Sequence, residues 1–119
     1  MKEFRFVQEG NEMRIISREE LREKLERGDN FKLYMTLGRQ AFAQSHIPGS
    51  INLESITEAT ANMSPDDEIV VYCANPACPA SIRAYMKLRQ QGCRNVYRYA
   101  GGLMEWEAAG YELAGSSNK

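Results

Sequence analysis

The stretch Asp67-Glu-Ile-Val-Val-Tyr-Cys73 decides the fold of this chain. Its Ile-Val-Val-Tyr core is bulky and largely apolar with no polar alternation, which is typical of a short strand buried on both faces of a parallel sheet. A turn-rich segment follows up to Pro79, which suits the first position of a helix because the amide there needs no partner. The sequence therefore predicts a central strand, a loop that starts at Cys73, and a helix to about Gln91.

Short apolar runs alternate with helical segments on both sides of this strand. Ser17 and Glu20 have the pattern of a capping box at the start of the first helix, and Gly28 is placed to end it. The predicted strands cover residues 13–16, 31–36, 50–53, 68–72 and 95–99. The predicted helices cover residues 17–27, 38–44, 54–63, 79–91 and 103–109. This alternation predicts an α/β fold with a mainly parallel sheet, whose ligand site lies at the carboxyl ends of the strands, where Cys73 falls.

Composition narrows the class of protein. The 119 residues suffice for one domain with its own hydrophobic core. Fifteen basic and sixteen acidic residues give a net charge of −1, which argues against nucleic acid as a partner because phosphate binding needs a basic surface. No apolar run is long enough to span a membrane, so no membrane partner is expected and the predicted location is cytoplasmic. Three cysteines and one histidine lack the spacing of a zinc site, and no metal or cofactor is expected.

Cys73 is the candidate functional residue because of its position. A short loop between the end of a strand and the start of a helix directs backbone amides inward, and the partial positive charge of the helix end favours an anion there. A cysteine in that place has a stabilised thiolate, which is the nucleophilic form of the side chain. Such a thiolate attacks a sulfane sulfur and becomes a persulfide. From position alone, the alternative is a buried and unreactive cysteine at the end of a strand.

Three motifs follow one another along the chain. They are His46-Ile-Pro-Gly-Ser-Ile-Asn52, then Asp67-Glu-Ile-Val-Val-Tyr-Cys73, then Asn95-Val-Tyr97 with Ala100-Gly-Gly-Leu-Met-Glu-Trp106 and Ala109-Gly-Tyr111. In this order and spacing they resemble the single-domain rhodaneses, a family of sulfurtransferases, over roughly residues 13–113. Residues 1–12 are then an N-terminal arm and residues 114–119 a C-terminal tail. The resemblance implies a rhodanese-like fold with a central five-stranded, mainly parallel sheet flanked by helices, and Cys73 as the catalytic, sulfur-accepting nucleophile.

The loop after Cys73 departs from the family pattern. The family places four residues between the cysteine and an arginine or similar residue, followed by a serine that opens the helix. Here Ser81 comes two positions later, the loop has no basic residue, and residues 33–37 lack the aspartate and arginine that the family often carries. Family members that use thiosulfate have cationic groups near the site, so thiosulfate is not expected to be the physiological donor. The candidate substrate-binding residues of the loop are Ala74, Asn75, Pro76, Ala77, Cys78, Ala80 and Ser81.

These features give one leading prediction of function and two alternatives. The leading prediction is a sulfurtransferase or sulfur carrier that forms a persulfide on Cys73 and passes sulfane sulfur from a donor to a thiol, cyanide or protein acceptor. One alternative is a non-catalytic binding module, which the missing aspartate and arginine favour. The other is a dithiol redox protein in which Cys78 is a resolving thiol for Cys73. Cys93 is predicted to pack in the core, and His46 to hold its turn by hydrogen bonding.

Overall fold

The computed structural model describes residues 13–61 and 63–116. The predicted arm at residues 1–12 and the end of the predicted tail, residues 117–119, lie outside the described residues. The helices and strands of the described part are α1 (Arg18–Arg27), β1 (Lys32–Met35), α2 (Arg39–Gln44), β2 (Ile51–Asn52), α3 (Ile56–Ala61), β3 (Ile69–Tyr72), α4 (Pro79–Gln90), β4 (Val96–Tyr99) and α5 (Gly102–Ala108). None of these helices has the length and apolarity needed to cross a membrane.

The strands form one parallel sheet in the order β2-β1-β3-β4. The central strand, β3, pairs along its whole length with β1 on one side and β4 on the other. All of its residues are buried, as is typical of a parallel strand covered by helices on both faces. The predicted α/β fold is therefore confirmed, and the carboxyl end of β3 leads directly into Cys73.

The fifth strand, predicted at residues 13–16, is reduced to a single bridge. Ile15 forms an isolated parallel bridge with Arg98 at the edge of β4, and the Ile16 amide donates to Arg98 O at 3.0 Å. The sheet of the described residues thus has four strands rather than five. The reason is local, because the capping box at Ser17 turns the chain into α1 directly after Ile16 and ends the ladder there.

Apolar side chains cover both faces of the sheet. On one face, Leu21 of α1 and Trp106 of α5 pack against Met35 and other sheet residues. On the other face, Leu88 of α4 packs in a second cluster that includes the buried Cys93. Full burial of a large apolar side chain contributes about 1.5–3 kcal/mol, and these two clusters hold the helices in place around the sheet.

Tyr72 ties the turn at residues 46–49 to the central strand. Its buried hydroxyl accepts a hydrogen bond from the Ile47 amide at 2.9 Å and shares another with Ser50 Oγ at 2.8 Å. Burial raises the pKa of Tyr72 to about 12, so the phenol is neutral and keeps its proton for these bonds.

His46 has a structural place in the same turn. Its Nδ1 donates to Phe42 O at 2.7 Å, and the two rings stack with their centroids 3.8 Å apart. The His46 backbone also exchanges two hydrogen bonds with Ala114, and the Ser116 amide donates to Ala43 O at 2.9 Å. Backbone contacts with the domain therefore continue beyond residue 113.

The start of α5 holds the loop that follows β3. The Leu103 and Met104 amides donate to the carbonyl oxygens of Cys73 and Ala74 at 2.9 and 2.8 Å. Gly102 lies against this backbone with a φ of 67°, and a Cβ there would stand 2.4 Å from Cys73 O. The close approach therefore requires glycine, and it directs both carbonyls of the loop toward α5.

Replacing Gly102 by alanine is expected to lower the free energy of unfolding by about 2–4 kcal/mol, because both the positive φ and the Cys73 and Ala74 carbonyls oppose a Cβ there. Gly110→Ala is the matched control. Gly110 has a φ of 81° with nothing within 4 Å of an added Cβ, so only the backbone strain applies, at about 1 kcal/mol. Urea denaturation measures both variants, and equal losses would contradict a close α5 contact.

Candidate active site

The candidate active-site loop runs from Cys73 to Cys78 and links β3 to α4. Cys73 begins it at the carboxyl end of β3 and is only 1% exposed. Two hydrogen bonds to Asn75 shape the loop, from the Ala77 amide to Oδ1 at 2.9 Å and from the Cys78 amide to its carbonyl oxygen at 3.2 Å. Pro76 and Ala77 are exposed at the tip of the loop.

The first turn of α4 closes over the Cys73 sulfur. Pro79 is the first residue of the helix, as predicted, and Cys78 is its N-cap residue, although the Cys78 side chain makes no capping hydrogen bond. Ser81 is buried two residues further on, with Oγ 3.4 Å from Cys73 Sγ. The Cys78 carbonyl oxygen lies 3.6 Å from the same sulfur and accepts from the protonated thiol. The partial positive charge of the α4 N-terminus thus lies next to Cys73.

The pKa of Cys73 lies below its ordinary value. Burial of the thiol acts to raise this pKa, but hydrogen bonds to the sulfur outweigh it. They come from the Cys78 side chain, the Ser81 hydroxyl and the backbone amides of Ser81 and Ala74. Cys93 shows the opposite effect, because burial and the nearby Asp67 carboxylate raise its pKa. The fold therefore favours the thiolate at Cys73 and the neutral thiol at Cys93.

A buried arginine donates hydrogen bonds to the loop and to the first turn of α4. Arg98 on β4 is 6% exposed, and its Nε donates to Ser81 Oγ at 2.9 Å while Nη2 donates to Pro76 O at 3.0 Å. Between Cys73 and Ser81 the chain has no basic residue, yet a cation reaches this segment from another strand. Arg98 was not among the candidate residues from the sequence. The alternation along β4 carried the signal, since Arg98 shares a face with the buried Val96.

Residues 33–37, which lack the aspartate and arginine that the family often carries, pack in the core and hold the backbone before Cys73. Met35 is fully buried in the core cluster, where it supplies apolar packing in place of a polar support. The Thr36 hydroxyl and amide both donate to Tyr72 O, at 3.1 and 3.0 Å, directly before Cys73. β1 therefore fixes the backbone that carries the cysteine without adding a charge.

A small cavity of about 190 Å³ opens beside α4. Thr36 at the end of β1 and Ala80 in the first turn of α4 form part of its lining, together with Arg83 and Lys87 further along the helix. Of the predicted loop residues, Ala74, Cys78 and Ser81 interact with the Cys73 sulfur. Pro76 and Ala77 are exposed, and Ala80 lines this cavity. Among residues 13–61 and 63–116, no three His, Cys, Asp or Glu side chains gather in a way that would hold a metal ion.

Solved structures share this fold at low sequence identity. A Bacillus halodurans protein superimposes with a TM-score of 0.80 and 23% identity, covering 87% of this chain and 78% of its own. The rhodanese-like domain of an Anabaena protein gives a TM-score of 0.78 and 24% identity, with coverages of 89% and 82%. A human single-domain sulfurtransferase gives 0.67 and 24%, with coverages of 82% and 97%. Identities of this size establish the fold alone.

Sequence comparison identifies the family. No curated protein matches the chain. The sequence profile of the Rhodanese-like domain, however, matches residues 17–109, which is well over half of the chain. The matched region runs from the cap of α1 to the end of α5 and includes Cys73 with its loop. With its parallel sheet, its cysteine at the end of β3 and this match, the chain belongs to the rhodanese-like domain family.

Proposed function

We propose that this chain is a sulfurtransferase or sulfur carrier that holds sulfane sulfur as a persulfide on Cys73. The observation that carries the proposal is the set of hydrogen-bond donors around Cys73 Sγ, which lowers the pKa of the thiol despite its burial. Membership of the rhodanese-like family supports the reaction class. The likeness to a human single-domain sulfurtransferase is in keeping with it.

Sulfur transfer by Cys73 takes two displacement steps and needs no outside oxidant. In the first, the Cys73 thiolate attacks the sulfane sulfur of the donor, an S–S bond forms, and the donor's leaving group departs with the electron pair of the broken bond. In the second, a thiolate or cyanide attacks the outer sulfur and Cys73 leaves as a thiolate. The donors around Sγ assist both steps, since they stabilise the attacking thiolate and the same thiolate as a leaving group.

The burial of Cys73 limits which molecules reach the sulfur. The outer sulfur of a persulfide extends only about 2 Å beyond Sγ, and Cys73 is 1% exposed. This burial favours a small sulfane donor and a small thiol or cyanide as acceptor. A protein acceptor has to approach over the exposed Pro76 and Ala77. Thiosulfate stays an unfavoured physiological donor in this proposal, because the loop itself contains no basic residue.

Exposure of the wild-type protein to inorganic polysulfide is expected to add the mass of one sulfur atom at Cys73. Cys73→Ser removes the nucleophile and is expected to abolish the gain. Cys93→Ser is the matched control and keeps the gain, because Cys93 is buried with a raised pKa. Fragment-ion mass spectrometry assigns the added sulfur to its residue. An equal gain in Cys73→Ser would refute the persulfide proposal, as would a wild type that shows neither the gain nor a Cys73–Cys78 disulfide.

A second candidate function, dithiol chemistry, is favoured by one observation. The Cys78 side chain helps to lower the pKa of Cys73, and the Cys78 carbonyl oxygen lies 3.6 Å from Cys73 Sγ. In this reaction the Cys78 thiolate attacks Sγ of the Cys73 persulfide, a Cys73–Cys78 disulfide forms, and the outer sulfur leaves as hydrosulfide. The step is balanced without another oxidant, because a persulfide already has the oxidation level of a disulfide.

Cys78→Ser is expected to prolong the lifetime of the Cys73 persulfide several-fold and to prevent the internal disulfide. The wild type is expected to release hydrosulfide and to lose two titratable thiols together. Hydrosulfide release and free-thiol titration after removal of excess polysulfide measure both effects, with Cys93→Ser as the unaffected control. Equal lifetimes in wild type and Cys78→Ser, with all thiols of the wild type retained, would rule out a resolving role for Cys78.

A further inference from the structure

Arg98 is a buried cation that the two displacement steps do not use. Its side chain donates hydrogen bonds to two neutral oxygens, Ser81 Oγ and Pro76 O. Among residues 13–61 and 63–116, no carboxylate forms an ion pair with it, whereas the exposed Arg94 on the same stretch of chain pairs with Asp66. A guanidinium removed from water is unfavourable unless an anion lies close by. The anion that this site forms is the Cys73 thiolate, which Ser81 connects to Arg98.

The hydrogen bonds fix the direction of the Ser81 hydroxyl. Arg98 Nε carries a hydrogen and has no free lone pair, so it always donates to Ser81 Oγ. Ser81 retains one hydrogen of its own, and Cys73 Sγ lies 3.4 Å from the same oxygen. When Cys73 ionises, it no longer donates to Ser81 and instead accepts this hydrogen. A hydroxyl that accepts from a cation is itself a stronger donor.

We propose that Arg98 is a positioning residue for sulfur transfer, which acts through Ser81 to stabilise the Cys73 thiolate and the persulfide anion formed from it. The inference rests on the proposed function and deepens it. Because the guanidinium is covered by the loop, its charge acts on the sulfur and does not recruit a substrate anion. The second bond, to Pro76 O, holds the tip of the loop with the same side chain.

The other groups around Cys73 do not provide the same effect. On the loop, the Cys78 thiol makes the largest lowering contribution to the pKa of Cys73, but a thiol carries no positive charge. On β1, Thr36 gives its hydroxyl hydrogen to Tyr72 O. On α5, the Glu105 carboxylate accepts from the Tyr99 hydroxyl. Arg98 is thus the charged group that is hydrogen-bonded to a direct neighbour of the sulfur.

The test is the pH dependence of Cys73 alkylation by iodoacetamide, which reports the thiolate. Arg98→Met is expected to raise the midpoint of alkylation by about one pH unit. At a pH below both midpoints, this variant should therefore be alkylated at Cys73 roughly tenfold more slowly than the wild type. Ser81→Ala is expected to do the same. The double variant is expected to match the single variants, since both substitutions remove one hydrogen-bond chain. Arg94→Met, which removes an exposed arginine distant from the sulfur, is the matched control and leaves the midpoint unchanged.

Further variants separate this role from a purely structural one. Arg98→Lys keeps the positive charge but loses the planar guanidinium. Its alkylation midpoint is expected to lie between those of the wild type and Arg98→Met. Circular dichroism establishes which variants fold. A folded Arg98→Met with the wild-type midpoint would overturn the proposal, as would additive shifts in the double variant. If Arg98→Met does not fold, an unshifted midpoint in Ser81→Ala overturns it instead. Alkylation needs no sulfur donor, so shifted midpoints without persulfide formation would count against the proposed function alone.

Discussion

The hydrogen bonds from the Leu103 and Met104 amides to the carbonyl oxygens of Cys73 and Ala74 are the constraint on which the site depends. These two carbonyl oxygens are therefore paired with amides at the start of α5. The amides of Ala74 and Ser81 are then the backbone groups that act on the sulfur. Gly102 makes this contact sterically accessible, because any larger residue would meet the Cys73 carbonyl. Gly102 of the last motif therefore fixes the backbone of a cysteine that lies far away in the sequence.

Three elements position Cys73 from different directions. β3 is buried along its whole length and fixes the backbone that delivers the cysteine, while α4 supplies the Ser81 donors and the positive end of its dipole. β4 contributes Arg98, which contacts both the tip of the loop and Ser81. A loop without a basic residue thus still lies over a positive charge. The hydrogen bonds that lower the pKa of Cys73 come from residues 74–81 themselves, and the tertiary structure adds Arg98, which donates to Ser81.

The sequence predicted what local patterns determine. The apolar run before Cys73, the capping box at Ser17 and the proline that opens α4 all lie where the structure has them, since each depends on neighbours in the chain. The prediction of a fifth strand at residues 13–16 was wrong in extent, because the number of paired residues depends on how soon the next helix begins. The place of Arg98 was not predicted, because the burial of a charge depends on partners distant in sequence.

Hydrogen bonds to the sulfur in the folded protein favour the Cys73 thiolate. A pKa lower in the folded than in the unfolded state means that ionised Cys73 favours folding above the unfolded pKa, and that this contribution is lost as the pH falls through the folded pKa. The most direct measurement compares the pH profile of Cys73 alkylation in the native protein with that of the same protein unfolded in urea. We expect the midpoint of the native protein to lie below that of the unfolded chain. A native midpoint at or above the unfolded one would contradict the assignment of Cys73 as a stabilised thiolate.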